Sequence, residues 1–377
     1  MNPTEFVDLT LMITGPTHLR EEVRRAGSLP EFGHRDSEGA KRFVPIMENL
    51  KKIARTEDYE PILFNGSGTT SMEAAMRSLV GEDECVLNVS VGAFGELFHK
   101  LTRFNGKDAV LLKFEPGKPV DLDVLEDALA EYGPTVVTLT HNETSTGVVN
   151  DIVPLCALAR KFGAMPIVDG VSIFGGADIR LDEAGPAMYC TATQKSLGLP
   201  AGFGIGFVSQ EALEKARKVD NRGYTTDILS QVEKARVNQT LTTPNTTLLN
   251  QMALQLDYIV NQEGIAERFA RHEAMRDQTQ AWLESVDGVD PFAEEGFRSP
   301  TATGVSAPEG MDFESLKRLK ENMRARGYLF DPGYSKLNKR QEEAGKRLCF
   351  RIGHMGDISP EMLGEYLKVL QEELAKL

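Results

Sequence analysis

Cysteine is scarce in this chain of 377 residues, and long apolar runs are missing. Cys85, Cys156, Cys190 and Cys349 include no CxxC pair and lie apart in apolar surroundings. We therefore expect free buried thiols and a cytoplasmic location, because disulfide frameworks belong to oxidising compartments. No run of about 18 apolar residues occurs, so no membrane span is expected. The start, MNPTEFVDLT, lacks a basic segment followed by an apolar one and does not indicate a signal peptide.

Positive charge is also in deficit: 42 Lys and Arg face 56 Asp and Glu, which gives a formal net charge of -14 at pH 7. A nucleic-acid surface needs clustered basic side chains to neutralise phosphates, so this balance argues against a nucleic-acid partner. The length and the 41% hydrophobic content are typical of a soluble protein with one large domain and a smaller one.

Short β-branched runs alternate with helical patterns through the first two thirds of the chain. Strands are predicted at 85–90, 109–114, 135–140, 165–170 and 203–209, and helices at 70–81, 95–104, 121–133 and 153–163. This alternation predicts an α/β fold with a mainly parallel sheet that helices cover on both faces. After Pro244 a long helical segment with Asn245 as its N-cap, a helix over 312–327, a strand over 347–353 and a last helix predict a second, α+β domain.

Polar or glycine-rich stretches stand where predicted strands end, which is where open α/β sheets bind ligands. FNGSGTTSMEAAM (64–76) places Ser67, Gly68 and Thr69 at the start of a helix, whose free backbone N–H groups suit a phosphate. The alternative is a glycine-rich helix cap, and an ATP-binding P-loop is not indicated because no lysine follows. LTHNETSTGVVND (139–151), taken alone, is better explained as an ordinary polar loop around Gly147.

Two further stretches carry a candidate acid and a candidate nucleophile. In IVDGVSIFGG (167–176), Asp169 ends an apolar strand, where it could be a helix cap, a base, a metal ligand or the partner of a protonated ring nitrogen. A metal is weakly supported because no His or second acid lies nearby. In CTATQKSLGLPAG (190–202), Lys195 has no charged neighbour, which favours the lowered pKa that a Schiff-base lysine needs.

Together these features predict a pyridoxal 5'-phosphate site. The aldehyde of that cofactor requires a lysine, its pyridinium nitrogen requires an acid that keeps it protonated, and its phosphate requires a helix N-terminus. Lys195, Asp169 and the 66–69 segment supply one of each.

The chain resembles the class V, fold-type I aminotransferases, in particular the alanine–glyoxylate and serine–pyruvate branch. The resemblance runs nearly from end to end and rests on motifs in the family's order: ITGPTHLREEV (13–23), FGHRDSEG (32–39), GSGTTSMEAAM, NVSVGAFGELF, HNETSTG, VDGVSIFGG, ATQKSLGLPAG and FRIGHMG (350–356). It implies a large domain, residues 20–255, with a mainly parallel seven-stranded sheet between helices. It also implies a small domain of residues 1–19 and 256–377 with a long connecting helix.

The resemblance implies a PLP-dependent transaminase that moves an amino group from a small amino acid to a 2-oxo acid such as glyoxylate or pyruvate by a ping-pong mechanism. By it, Lys195 forms the Schiff base and transfers the proton, and Asp169 pairs with the pyridine nitrogen. It also implies a homodimer with shared active sites. The other cofactor contacts that it implies are Ser67, Gly68, Thr69, Phe94, Thr144, Val171, Gln194 and, from the neighbouring subunit, Thr242. Gln239 stands where some relatives have a tyrosine.

On the substrate side, the resemblance implies that Arg351 clamps the α-carboxylate and that the backbone at Gly15 closes over it. Arg35, in the FGHRDSEG loop, could bind a second anionic group, which would favour an acidic donor such as aspartate; equally, it could be a surface or interface residue. A 2-aminoethylphosphonate transaminase and a cysteine desulfurase or lyase are the alternatives, although the 329–348 stretch lacks a desulfurase-type cysteine. A binding protein on a degenerate enzyme scaffold is the alternative outside catalysis.

Overall fold

The computed structural model of the protein describes residues 8–377, so the first seven residues of the predicted 1–19 segment lie outside the described residues. Strands are β1 (Thr10–Leu11), β2 (Glu60–Gly66), β3 (Cys85–Ser90), β4 (Asp108–Lys113), β5 (Val136–Thr140), β6 (Asn142–Glu143), β7 (Val148–Val149), β8 (Met165–Asp169), β9 (Met188–Ala192), β10 (Gly202–Val208), β11 (Asp290–Pro291), β12 (Ala302–Ser306), β13 (Tyr328–Leu329) and β14 (Cys349–Gly353).

Helices alternate with the strands of the first half and dominate the second half. They are α1 (Glu21–Ala26), α2 (Ser37–Ala54), α3 (Gly68–Leu79), α4 (Ala93–Phe104), α5 (Leu122–Tyr132), α6 (Ile152–Lys161), α7 (Leu181–Ala184), α8 (Gln210–Ala216), α9 (Ile228–Ala235), α10 (Thr246–Asp257), α11 (Ile265–Ser285), α12 (Phe313–Ala325), α13 (Ser335–Glu343) and α14 (Pro360–Leu374), with a π-helix at Tyr258–Glu263.

A seven-stranded sheet in the order β2-β10-β9-β8-β5-β3-β4 forms the centre of the fold. Its strands run parallel except β10, which pairs antiparallel with both β2 and β9. β5, β8 and β9 are buried along most of their length, because helices cover both faces of the sheet. The predicted α/β class and the mainly parallel seven-stranded sheet are confirmed.

Polar caps begin several of the helices that surround the sheet. The Asp121 and Asp151 carboxylates accept hydrogen bonds from the first backbone amides of α5 and α6. Asn245, the predicted N-cap, accepts from the Leu248 amide and starts α10. The long helical segment predicted after Asn245 is interrupted, because α10 passes into the π-helix and the chain turns at Gly264, where φ is +90°.

The second half of the chain adds a separate three-stranded antiparallel sheet, in the order β11-β12-β14, packed with α11, α12 and α14. Strand β1 pairs with β13 and thereby ties the N-terminal segment to these C-terminal elements. The exact division at residues 19 and 255 stays a prediction. Within residues 8–377 no helix is both long and apolar enough to cross a bilayer.

Candidate active site

The candidate site lies at one edge of the central sheet, where the parallel strands end. β2 ends at Gly66, the first residue of the 66–69 segment, and β5 ends before Thr144. β8 ends at Asp169, and β9 ends three residues before Lys195. Because carboxyl ends of parallel strands meet at the same edge, segments far apart in sequence converge there. This topology explains why the predicted residues come from separate motifs.

Lys195 is buried, with 9% of its surface exposed, in the turn that follows β9. Its ammonium group donates to the backbone oxygen of Thr14, and its own backbone oxygen accepts from the Thr17 hydroxyl at 3.2 Å and the Gly198 amide at 2.9 Å. Burial, helped by the nearby positive charge of Arg351, lowers the pKa of Lys195 to about 8. The uncharged form of this amine is therefore a minor species near neutral pH, but far more abundant than for a lysine of ordinary pKa, and it can act as a nucleophile.

Asp169 ends β8 and is 3% exposed. One of its carboxylate oxygens accepts from the Val171 amide at 2.9 Å. Burial raises the pKa of Asp169 to about 7, although that hydrogen bond and the charge of Lys195 act in the opposite direction. Among residues 8–377 no cation forms an ion pair with this buried carboxylate, and a protonated ring nitrogen would supply a cationic partner.

The N-terminus of α3 forms a narrow cradle at the same edge. Gly68 and Thr69 begin the helix after Ser67, and the first amides of a helix cannot be satisfied within it. A Cβ at Gly68 would lie 2.4 Å from a methyl group of Val171, and one at Gly204 in β10 would lie 2.4 Å from the Ser67 carbonyl. Glycine at both positions therefore lets the helix start approach the Asp169 loop and the sheet.

Phe94 and Thr144 flank the site from α4 and the loop after β6. The Phe94 amide donates to the buried Glu143 carboxylate at 2.8 Å, which ties the start of α4 to the residue before Thr144. Thr144 is 1% exposed and Phe94 is partly exposed. Burial raises the pKa of Glu143, whose hydrogen bonds from Ser145 and the α4 amides oppose that shift.

Arg351 reaches the site from β14. Its Nε and Nη2 groups donate to one oxygen of Asp331 at 3.1 and 3.0 Å, and Nη1 donates to the Thr144 carbonyl at 3.3 Å. The backbone at Gly15, with φ at +109°, lies so close to Lys195 that a Cβ there would be 2.7 Å from its Nζ. Gly15 thus lies against the lysine; its predicted role over the substrate carboxylate stays a prediction.

Three predicted positions lie outside this cluster in the single chain. Arg35 is in an exposed turn before α2 and, within residues 8–377, forms no ion pair or hydrogen bond with a site residue. The Thr242 hydroxyl accepts from Asn65 at 3.0 Å, at the end of β2, beside the α3 cradle. Gln239 is partly buried in the loop before it. The predicted contributions of Thr242 and Gln239 to a neighbouring subunit stay predictions.

Sequence reasoning missed Asp331, Thr14 and Glu143, which all contact predicted site residues. Asp331 stands in FDPG, which is typical of a surface turn, so its sequence context gave no sign of a buried carboxylate. Glu143 lies inside the quoted HNETSTG motif, and its placement at the carboxyl end of β5 could have singled it out.

The donor set fits the cofactor that the sequence resemblance implies. The Gln194 side-chain oxygen is buried without a hydrogen-bond partner among the described residues, beside Lys195. A lysine with a lowered pKa, a buried acid and a helix N-terminus face the same edge, and these suit an aldehyde, a ring nitrogen and a phosphate. Across residues 8–377, no three His, Cys, Asp or Glu side chains are grouped as a metal site would require.

Comparisons with known proteins agree with this geometry. The family model described as Aminotransferase class-V matches residues 20–321. An uncharacterized aminotransferase of Methanocaldococcus jannaschii is 34% identical over 93% of this chain and 89% of its own length. The L-aspartate–glyoxylate aminotransferase of Paracoccus denitrificans is 30% identical over 93% and 87%. The crystal structure of an alanine–glyoxylate aminotransferase from Nostoc sp. superposes with a TM-score of 0.90 at 26% identity, covering 99% and 97%.

Proposed function

The chain belongs to the class-V aminotransferases, and from this premise we propose that it transfers the amino group of a small neutral amino acid, such as alanine or serine, to glyoxylate or pyruvate. The observation that carries the proposal is the meeting of Lys195, Asp169 and Arg351 at one edge of the sheet. Relatives of this chain are transaminases with 2-oxo acid acceptors, which supports the acceptor class.

The proposed cofactor is pyridoxal 5'-phosphate. When bound, it takes up the amino group and delocalises the negative charge that develops at the substrate Cα. The amides of Gly68 and Thr69, the Ser67 hydroxyl and the Gln194 side chain would hold its phosphate. Phe94 and Val171 would flank its ring, and Thr144 would lie beside the ring hydroxyl.

Lys195 and Asp169 perform the acid–base part of this proposal. Lys195 would be the residue to which the cofactor is covalently attached. Its free amine would take a proton from the substrate Cα and would later return that proton. A lysine whose pKa is about 8 can exist in both protonation states near neutral pH, as this role requires. Asp169 would place its carboxylate beside the ring nitrogen and so would keep a proton there.

Arg351 binds and orients both substrates in turn. A guanidinium group matches a carboxylate with two parallel hydrogen bonds, and such a fork fixes the direction of the Cα–H bond. Since donor and acceptor share only the α-carboxylate, one arginine serves both halves of the exchange.

The assembled form in this proposal is a homodimer in which Thr242 and Gln239 reach the site of the neighbouring chain. A cytoplasmic location is proposed from the cysteines, which are free thiols with three of the four buried.

The experiment that tests the function is a donor-by-acceptor screen on the purified holoenzyme. Alanine, serine, aspartate and 2-aminoethylphosphonate are each offered with glyoxylate or pyruvate, and both products are quantified by mass spectrometry. We expect alanine or serine to give the highest kcat/KM. Lys195→Ala should reduce turnover by at least about 10²–10⁴-fold, the usual contribution of such a group. Unchanged transamination in that variant would refute the assignment.

Sulfide release from cysteine, measured on the same preparation, tests the desulfurase alternative. Cys349 lies near Arg351 but is fully buried in β14, and burial raises the pKa of its thiol to about 12, so it is a poor nucleophile. We therefore expect no sulfide above the background of Lys195→Ala.

A further inference from the structure

Asp331 joins three parts of the site that the chain brings from different elements. One carboxylate oxygen accepts from Arg351 and from the Gly333 amide at 3.1 Å. The other accepts from the Thr14 amide at 3.2 Å and the Thr14 hydroxyl at 3.0 Å. The Thr14 carbonyl in turn accepts from Lys195. A continuous chain of contacts therefore runs from Lys195 through Thr14 and Asp331 to Arg351.

The contacts of Arg351 leave two N–H donors of its guanidinium group available to a ligand. A guanidinium has five N–H donors. Nε and one N–H of Nη2 are taken by Asp331, and one N–H of Nη1 by the Thr144 carbonyl. One N–H of Nη1 and one N–H of Nη2 have no partner among residues 8–377, so two donors of Arg351 are available to a carboxylate. Asp331 binds the Nε side of the guanidinium and does not use these two donors.

The charge of Asp331 has a second consequence. The Asp331 and Arg351 side chains are 7% and 12% exposed, so water screens this pair weakly. One carboxylate can bind the two unused N–H donors of Arg351. A second carboxylate on the same small substrate would stay in the same enclosed region, where the Asp331 charge repels it.

We propose that Asp331 is a positioning and specificity-determining residue, which orients Arg351 for one carboxylate and disfavours substrates that carry two. The proposal rests on the proposed function, in that it assigns Arg351 to the substrate carboxylate. It predicts neutral monocarboxylate donors in preference to aspartate, even though aspartate is the donor named for one relative of 30% identity.

The test compares propionate and succinate, which lack an amino or keto group and so bind without reacting. Their dissociation constants are measured at pH 7.5 on the holoenzyme by ligand-observed NMR. Asp331→Asn keeps the shape and removes the charge, whereas Asp331→Glu keeps the charge. We expect Asn to shift the preference toward succinate by about tenfold, and Glu to retain the original preference. Glu373→Gln, which alters another ion-paired carboxylate that binds Arg326 and Lys376, is the matched control.

Asp331→Ala tests positioning, because it removes the atoms that hold Arg351 from the side. The KM for the donor should rise about tenfold, with kcat changed far less, since the lost interaction orients the bound carboxylate. A purely structural role would instead lower the melting temperature and leave KM unchanged. If Asp331→Asn does not fold, Asp331→Ala also serves for the propionate–succinate comparison, because it too lacks the charge.

The outcomes separate the two proposals. A propionate–succinate preference that stays within twofold in the charge-free variant overturns the role of Asp331. If no donor is transaminated by the unchanged chain, the proposed function fails. The binding preference still decides the role of Asp331 in that case, because it needs no turnover.

Discussion

Burial brings the pKa values of Lys195 and Asp169 close together, to about 8 and about 7. Between these values, and without a cofactor, both side chains carry charge in a part of the protein that excludes water. A buried charge is costly, so the cofactor-free site is destabilised by the groups to which the proposed function assigns catalysis. The cofactor would relieve both costs, by bonding to the amine and by pairing with the carboxylate.

The first residue-scale prediction concerns the stability of the cofactor-free chain. Lys195 has a folded-state pKa near 8 and an ordinary value of 10.5. Charging this buried lysine destabilises the folded chain. The penalty is absent above pH 10.5, grows as the pH falls toward 8, and is complete below pH 8. Lys195→Met should raise the free energy of unfolding at pH 6–7 by up to about 3 kcal/mol, and this gain should shrink between pH 8 and 10.5.

Urea unfolding at several pH values measures this gain. Lys317→Met, at an exposed lysine in α12, is the matched control and should show no such pH dependence. A gain for Lys195→Met that is constant from pH 6 to pH 10 would contradict the lowered pKa.

At the scale of single residues, the sequence indicated candidate site residues where a charged side chain stood in uncharged surroundings. Asp169 could be selected because a charge at the end of a buried strand is uncommon, and Lys195 because its neighbours in the sequence carry no charge. Asp331 could not, because its Asp-Pro-Gly context is typical of an exposed turn, and only the fold reveals that Thr14 and Arg351 cover it.

The N-terminus of α3 is held in place by contacts with the backbone of β10. Gly204 in β10 faces the Ser67 carbonyl, and the Ser71 hydroxyl donates to the Ile205 carbonyl at 2.8 Å. A side chain at Gly204 would press on backbone, which cannot move aside as a flexible side chain does. The position of the proposed phosphate cradle therefore depends on a glycine that has no proposed role in binding.

The element-scale prediction follows from this contact. Gly204→Ala should displace the start of α3, weaken binding of pyridoxal 5'-phosphate at least about tenfold, and cost about 1–3 kcal/mol of stability. Cofactor affinity is measured by fluorescence titration. Gly206→Ala in the same strand is the matched control, because its Cβ would meet the flexible end of Met188. Equal cofactor affinity in the two variants would contradict the proposed role of Gly204.

Among the elements, β3, β4, β5, β8 and β10 could be predicted to within a residue or so, since their apolar runs are clear. β2 was missed because Pro61 argues against a strand; it is tolerated there because β2 is an edge strand of the sheet. β9 was missed because its five residues, which include Tyr189, Cys190 and Thr191, form no distinct hydrophobic pattern. The antiparallel direction of β10 is set by tertiary pairing, which periodicity does not reveal.

For the whole molecule, the proposal that two chains share each phosphate site can be tested at Thr242. Large apolar side chains such as Phe104 and Tyr224 are 79% and 72% exposed on the single chain, which is compatible with the proposed dimer. Thr242, however, contacts Asn65 of its own chain, next to the α3 cradle. The residue could thus serve its own site or that of the neighbour, and a subunit-mixing experiment distinguishes the two.

The whole-molecule prediction uses two inactive chains. Lys195→Ala removes the nucleophile, and Thr242→Glu places a negative charge against the phosphate. If Thr242 acts on the neighbouring site, a mixed dimer contains one complete site: the Lys195 of the Thr242→Glu chain receives an unaltered Thr242 from its partner. Random mixing in equal amounts should then restore about a quarter of the original activity, since half of the dimers are mixed and each has one intact site of two.

If Thr242 serves its own chain, both sites of the mixed dimer are defective and the mixture stays inactive. Thr243→Glu is the matched control, because Thr243 is exposed beside Thr242 and should retain activity alone. Sedimentation at twice the 41.5 kDa chain mass must accompany the recovered activity, since a monomer could not share a site. Recovery therefore requires both the dimer and the neighbouring-chain role of Thr242, whereas a dimer without recovery refutes only that role.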